Sequence, residues 1–146
     1  MTCNGRLHKF LKPGCAYWPL KRIGMPLAWR FMMTCSKGDI VIVRFPNNDL
    51  VTYKHRPALV VQSDTLTTGY DQKLVACITS NVRKRAAHRI FVDINNDEGK
   101  ETGLLADSVI VTDNLATVKE REIHKVIGSL SDIQLLNASL RTVFSI

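Results

Sequence analysis

Short runs of β-branched and aliphatic residues, separated by turn residues, fill the chain from Gly38 onward. Such runs are too short for stable helices, and their composition is typical of β-strands. The run that ends at Thr79 is apolar at successive positions, which predicts a strand buried on both faces. We therefore predict strands at residues 40–45, 58–62, 73–79, 89–95 and 108–112, with a polar loop after the first that lasts to Arg56.

The C-terminus has a different period. Ser131 and Gln134 have the spacing of a capping box, which predicts the start of a helix. Apolar residues then recur at helical spacing, at Ile133, Leu136, Leu140 and Val143. The fold class predicted from these patterns is mainly β with a C-terminal helix, a small SH3-like twisted antiparallel barrel.

The positive charge is concentrated at the N-terminus. The chain has 146 residues and a formal charge of +7, but residues 1–33 hold six basic residues and no acidic one. Residues 34–146, predicted to form a single domain, hold 14 basic and 13 acidic side chains, so net charge gives no argument for nucleic-acid binding. We interpret residues 1–33 as a disordered extension or as sequence upstream of the true start. Met32 and Met33, just before the first strand, favour the second interpretation. The alternatives are a basic arm that contacts nucleic acid and a flexible tail without a role.

Neither the four cysteines nor the four histidines have the spacing of a metal or redox motif. We therefore expect no metal and no other cofactor, and a reduced, cytoplasmic protein. No apolar segment is long enough to cross a membrane, so no membrane partner is expected.

Three polar clusters follow or precede predicted strands. Residues 53–56 combine an aromatic ring, two cations and an imidazole, groups that bind a phosphate and stack on a base. Residues 79–81 offer hydroxyl and amide groups, and residues 83–85 are basic. Each has a simpler interpretation, as a hairpin tip, a turn cap or a solvated charged surface. If the first three strands are neighbours, the clusters meet at one edge of the sheet.

A series of motifs resembles the PemK/MazF family of toxins and covers residues 37–146 in the family's order. The motifs are Gly38-Asp39-Ile40-Val41, Phe45-Pro46, Asp49-Leu50, Lys54, Arg56-Pro57-Ala58-Leu59-Val60, Ile78-Thr79-Ser80, Gly103-Leu104, Ser108-Val109-Ile110, Leu115-Ala116-Thr117 and Ile127-Gly128-Ser129-Leu130. The resemblance implies the barrel shared with CcdB-type toxins, a homodimer and the cognate antitoxin protein of a type II toxin-antitoxin system. It also implies metal-independent endoribonuclease activity on single-stranded mRNA, with DNA contacted only through the antitoxin complex.

Carried over position by position, the resemblance places the catalytic residues at Arg56 and Thr79. The residues expected to bind RNA, from the resemblance and from the polar clusters, are Tyr53, Lys54, His55, Ser80, Asn81, Arg83 and Arg85. Arg56 suits stabilisation of charge on phosphorus, and the Thr79 hydroxyl suits donation to a phosphoryl oxygen. A guanidinium is a poor proton acceptor, so His55, with a free pKa near ~6.5, is a hypothetical acid or base.

Asn47 and Asn48 depart from the aromatic and small residues expected at these positions, which leaves the recognised RNA sequence open. Two other functions stay open as well. One is a non-catalytic toxin that binds DNA gyrase in the manner of CcdB, because a shared fold does not fix function. The other is a nucleic-acid-binding barrel that does not cleave.

Overall fold

Residues 34–146 are described by the computed structural model, and the predicted basic extension of residues 1–33 lies outside them. Six strands form one antiparallel sheet that curls into a half-barrel. They are β1 (Asp39–Pro46), β2 (Tyr53–Val60), β3 (Gln72–Thr79), β4 (Ile90–Val92), β5 (Ser108–Lys119) and β6 (Ile123–Ser129), in the spatial order β4-β5-β3-β2-β1-β6. Two helices, α1 (Asp97–Glu101) and α2 (Ile133–Phe144), complete the fold. The predicted mainly β fold with a C-terminal helix is confirmed.

The central strands β1, β2 and β3 are buried on both faces over part of their length, because their alternate residues enter different apolar clusters. In β1, Val41, Val43 and Phe45 pack in one cluster with residues of β2, β3, β5 and β6. Ile40 lies on the opposite face, in the cluster that also contains Leu136 of α2. The predicted two-sided burial of β3 is confirmed, since its residues 75–78 are all buried.

The start of α2 differs from the prediction in one detail. Asp132, not Ser131, is the N-cap, and its Oδ1 accepts a hydrogen bond of 2.9 Å from the backbone amide of Leu135. Asp is at least as good an N-cap as Ser, so a shift by one residue costs little. Among the described residues, no helix is both long and apolar enough to cross a membrane.

The strand β2 begins earlier than predicted, and this changes the geometry of the site. Residues 53–56 were predicted to lie in a loop, but they pair with β1 in the register Pro46 to Tyr53 and Val43 to Arg56. Polar residues continue a strand when its hydrogen-bond ladder is made by a neighbour and one face meets solvent. The segment is therefore split between two faces, with Lys54 and Arg56 on one side and Tyr53 and His55 on the other.

The strand β5 is longer than predicted and contains an irregularity. Ala76 of β3 pairs with Leu115, whereas the next residue, Cys77, pairs with Val111. Residues 112–114 are therefore extra residues in β5, which we call the β5 bulge. Bulges redirect side chains and are common next to functional sites.

Candidate active site

Arg56 and Thr79 line a single cavity of about 350 Å³ at one end of the sheet. Since β2 and β3 are antiparallel neighbours, the start of β2 lies beside the end of β3. The cavity, called the Arg56 cavity below, is lined by Phe45, Pro46, Asn47, Asn48, Asp49, Thr52, Arg56, Cys77, Thr79, Lys84, Val111 and Asn114. The tertiary structure thus brings together the guanidinium and the hydroxyl that the sequence places 23 positions apart.

A chain of hydrogen bonds in the β1–β2 loop, residues 47–52, holds the guanidinium of Arg56. Nη2 of Arg56 donates to Oδ1 of Asn47 at 3.1 Å, and Nδ2 of Asn47 donates to Oγ1 of Thr52 at 2.8 Å. The Thr52 hydroxyl donates in turn to Oδ2 of Asp49 at 2.6 Å. This hydroxyl, with the backbone amides of Thr52 and Val51, lowers the pKa of Asp49. Asp49 is therefore ionised at neutral pH, and its carboxylate is the acceptor at the end of this series of hydrogen bonds.

The Thr79 hydroxyl lies at the last residue of β3. Its Oγ1 accepts a 3.2 Å hydrogen bond from the backbone amide of Asn81, and Oδ1 of Asn81 accepts one from the amide of Arg83. These bonds cap the short 3₁₀ turn Val82–Lys84. They use Thr79 as an acceptor, which leaves its hydroxyl proton to donate to a ligand in the cavity.

The other face of β2 carries a different cluster. Tyr53 packs under the guanidinium of Arg44, whose Cζ lies 4.9 Å from the ring centroid. His55 meets His124 of β6 edge-to-face, with ring centroids 4.4 Å apart. Neither Tyr53 nor His55 lines the Arg56 cavity. The structure thus separates these two predicted RNA-binding residues from Arg56.

The basic run after β3 is also divided by the structure. Arg85 lies over the ring of Phe91, with its Cζ 3.3 Å from the centroid, and Arg83 is exposed outside the cavity lining. Lys84, between them, lines the Arg56 cavity. Ser80 and Lys54 are exposed and do not line it.

Apart from Arg56 and Thr79, the polar or reactive residues that line the cavity were not selected as site residues from the sequence, and Lys84, Asn114 and Cys77 are among them. Lys84 belongs to the recognised basic run, and the helical geometry of the 3₁₀ turn separates it from its neighbours. Asn114 lies in the β5 bulge, which has no distinctive sequence signal. Cys77 was assigned to the core, and it is 5% exposed. Burial raises the pKa of Cys77 in spite of the nearby Arg56 and Lys84 cations, so the thiol stays protonated at neutral pH.

An ion pair outside the cavity joins the β5 bulge to the chain that precedes β4. Nε and Nη2 of Arg89 donate to the two carboxylate oxygens of Asp113 at 2.7 and 2.6 Å, and Nε2 of His88 lies 3.3 Å from Oδ1. These donors, above all Arg89, lower the pKa of Asp113 to about 2. A bidentate pair of this kind fixes both partners in orientation.

The Asp113 pair predicts a loss of stability in acid. Because the pKa in the folded protein is depressed, ionised Asp113 stabilises the fold above its unfolded pKa of ~3.9, and this contribution is lost as the pH falls towards about 2. The side chain is 35% exposed, so solvent screening limits the effect to about 1 kcal/mol. We expect Asp113→Asn to lower the free energy of urea unfolding by this amount at pH 6 and to match the wild type near pH 2. An equal deficit at both values contradicts the assignment.

A second, larger cavity of about 520 Å³ lies between α2 and the β2–β3 connection. Its lining is largely apolar, with Leu66, Leu140 and Phe144 prominent, and Lys37 and Arg141 at its polar part. None of the predicted site residues lines it. The smaller Arg56 cavity is therefore the better candidate for an active site, because cationic, hydroxyl and amide groups line it.

Comparisons with known proteins agree with this geometry. Residues 36–144 match the sequence profile described as a PemK-like, MazF-like toxin of type II toxin-antitoxin systems. The chain is similar to the Mycobacterium tuberculosis toxin MazF-mt6, at 27% identity and a TM-score of 0.57, over 74% of this chain and 97% of that one. No sequence among curated proteins matches the chain.

Two further solved structures share the fold at lower identity. One is an endoribonuclease in complex with its cognate antitoxin from a mycobacterial species, with 14% identity, a TM-score of 0.61 and coverage of 77% and 97%. The other, MazE-MazF from Deinococcus radiodurans, has 15% identity, a TM-score of 0.56 and coverage of 77% and 96%. Since the family profile spans most of the chain, the protein belongs to the PemK-like, MazF-like family of type II toxin-antitoxin toxins.

Proposed function

We propose that this toxin is an endoribonuclease that cleaves single-stranded mRNA through attack by the RNA 2′-hydroxyl, without a metal ion. The observation that carries the proposal is the meeting of Arg56 and Thr79 in one cavity of a chain whose residues 36–144 match a toxin family. The similar endoribonuclease and MazF structures support the same activity.

In this reaction the 2′-oxygen forms a bond to phosphorus, the bond from phosphorus to the 5′-oxygen breaks, and a 2′,3′-cyclic phosphate results. The 2′-hydroxyl loses its proton, and the leaving 5′-oxygen gains one. Arg56 stabilises the negative charge that develops on the phosphoryl oxygens, and the Thr79 hydroxyl donates to one of them. The hydrogen bond to Asn47 holds Arg56 ready for this role before RNA binds.

The remaining residues named from the sequence contribute RNA contacts in this proposal. Lys54 lies on the face of β2 that carries Arg56, and the chain segment that follows Thr79 carries Ser80, Asn81, Arg83 and Arg85. Tyr53 and His55 offer a ring to stack on a base, on the other face of β2. The imidazole of His55 lies beside His124 and outside the Arg56 cavity, which favours a binding role over proton transfer.

The partners follow from the family. We propose that the toxin forms a homodimer and is inhibited by a cognate antitoxin. The similar endoribonuclease that was solved in complex with its cognate antitoxin supports an antitoxin partner. DNA is contacted only through the toxin-antitoxin complex, and the toxin acts in the cytoplasm, where mRNA is found. A CcdB-like gyrase binder is not favoured, because that function requires neither the cavity arginine nor the hydroxyl beside it.

Incubation with a long single-stranded RNA in EDTA tests the proposal. We expect the wild type to cut the RNA and to leave 2′,3′-cyclic phosphate ends, and Thr79→Ala to cut it at least ~10²-fold more slowly because a donor to the phosphoryl oxygen is lost. The same oligonucleotide with 2′-O-methyl groups is the matched control, since it lacks the attacking hydroxyl. Intact RNA in the wild-type lane, or cleavage of the methylated strand, contradicts the proposed mechanism.

A further inference from the structure

We propose that Lys84 is a substrate-binding residue of the Arg56 cavity that contacts an RNA phosphate, and that Arg89 and Asp113 are the positioning residues that hold it there. This inference rests on the proposed ribonuclease function. It separates Lys84 from Arg83 and Arg85, which the sequence does not distinguish from it.

The electrostatics of the cavity support a role for Lys84. Of the residues that line the cavity, Arg56 and Lys84 carry positive charge and Asp49 carries negative charge. Both oxygens of Asp49 already accept hydrogen bonds within the β1–β2 loop. Within residues 34–146 the Lys84 ammonium has no carboxylate partner, so a phosphate is the ligand that its charge favours.

The backbone of Lys84 is held from two directions. Its amide donates to the carbonyl of Asn81 at 3.1 Å, which closes the 3₁₀ turn. Its carbonyl accepts a 2.8 Å hydrogen bond from Nη1 of Arg89. Lysine side chains lose considerable entropy when they bind, and a fixed backbone reduces the number of conformations still to be ordered.

All three guanidinium nitrogens of Arg89 donate hydrogen bonds that link the Lys84 turn to β5. Nε and Nη2 bind Asp113 in the β5 bulge, and Nη1 binds the carbonyl of Lys84. The bulge itself is secured by Thr112, whose hydroxyl donates to the carbonyl of His88 at 2.6 Å. The turn that carries Lys84 is thus tied to β5, the strand that also contributes Val111 to the wall of the cavity.

This geometry requires arginine. A lysine at position 89 presents a single ammonium group and cannot reproduce a planar fork that joins two carboxylate oxygens and a carbonyl on different segments. Arg89→Lys preserves the charge of the protein, so any change in RNA affinity that it causes reports the position of Lys84 rather than the total charge.

The test is binding of a 2′-O-methylated single-stranded RNA, which the enzyme cannot cut, to the full chain at several salt concentrations. We expect Lys84→Ala to weaken binding about tenfold, in proportion to one lost charged hydrogen bond. The dependence of log K on log salt concentration becomes shallower by about 0.7, the value of one phosphate contact on a single strand. Lys84→Arg retains affinity within about twofold, because the cation is preserved.

Arg89→Lys is expected to weaken binding about threefold, and its thermal unfolding is measured in parallel. Lys100→Ala, which removes an exposed cation on α1, serves as the control. If Lys84→Ala binds RNA with wild-type affinity and salt dependence, the inference about Lys84 is overturned. The proposed function still holds in that case if the wild type cleaves RNA. If the wild type neither binds nor cuts RNA, both are overturned. If Lys84→Ala weakens binding but Arg89→Lys does not, the positioning role is wrong.

Discussion

Arg56→Ala is expected to lower the single-turnover rate of RNA cleavage by about 10²- to 10³-fold. The Arg56 cavity is lined by Arg56 and Thr79, and in the proposed mechanism the guanidinium stabilises charge that develops on phosphorus only in the transition state. Substrate affinity should change less than the rate, because the proposed phosphate contact of Lys84 is retained in this variant. The rate is measured with enzyme in excess over a short synthetic RNA.

Arg56→Lys separates charge from geometry in the same assay. It keeps a cation but loses the Nη2 donor that binds Asn47 at 3.1 Å, so we expect an intermediate rate. Arg121→Ala, in the exposed turn after β5, is the matched control and should cleave like the wild type. If Arg56→Ala cuts RNA within about threefold of the wild-type rate, Arg56 is not catalytic and another group in the cavity stabilises the charge.

Leu136→Ala is expected to lower the free energy of unfolding by about 2–5 kcal/mol. The Leu136 side chain is fully buried where α2 packs on the sheet, in the apolar cluster that includes Ile40 and Leu59. Removing it loses apolar burial and leaves a cavity between helix and sheet. Urea denaturation followed by circular dichroism measures the change.

Leu135→Ala is the matched control for this prediction, since it makes the same chemical change one residue away on the same helix. Leu135 is 46% exposed, so its replacement should cost about 0.5 kcal/mol or less. Equal destabilisation by the two substitutions contradicts the packing of α2 on the sheet. A lowered unfolding free energy at Leu136 alone confirms that burial, rather than helix propensity, sets the cost.

Strong local patterns predicted much of the fold. The β-branched runs predicted the first three strands, and the helical spacing of apolar residues predicted the terminal helix. These patterns are clear because the apolar residues of these elements are buried in the core. The strand β6 and most of β5 were not predicted. Residues 113 and 114 have the composition of a turn, yet Arg89 and Thr112 hold them as a bulge inside a strand. Contacts with distant residues therefore overrode the local preference.

The sequence by itself determined the fold class and the family motifs, and through the family resemblance it proposed Arg56 and Thr79 as catalytic residues, because residue type and order carry that information. Only the tertiary structure decided which polar side chains share a cavity. Pairing with β1 turned residues 53–56 from a predicted loop into a strand, and strand alternation then sent His55 and Arg56 to opposite faces. Likewise, Lys84 lines the Arg56 cavity whereas Arg83 and Arg85 do not, since position in space depends on contacts that a linear pattern does not contain.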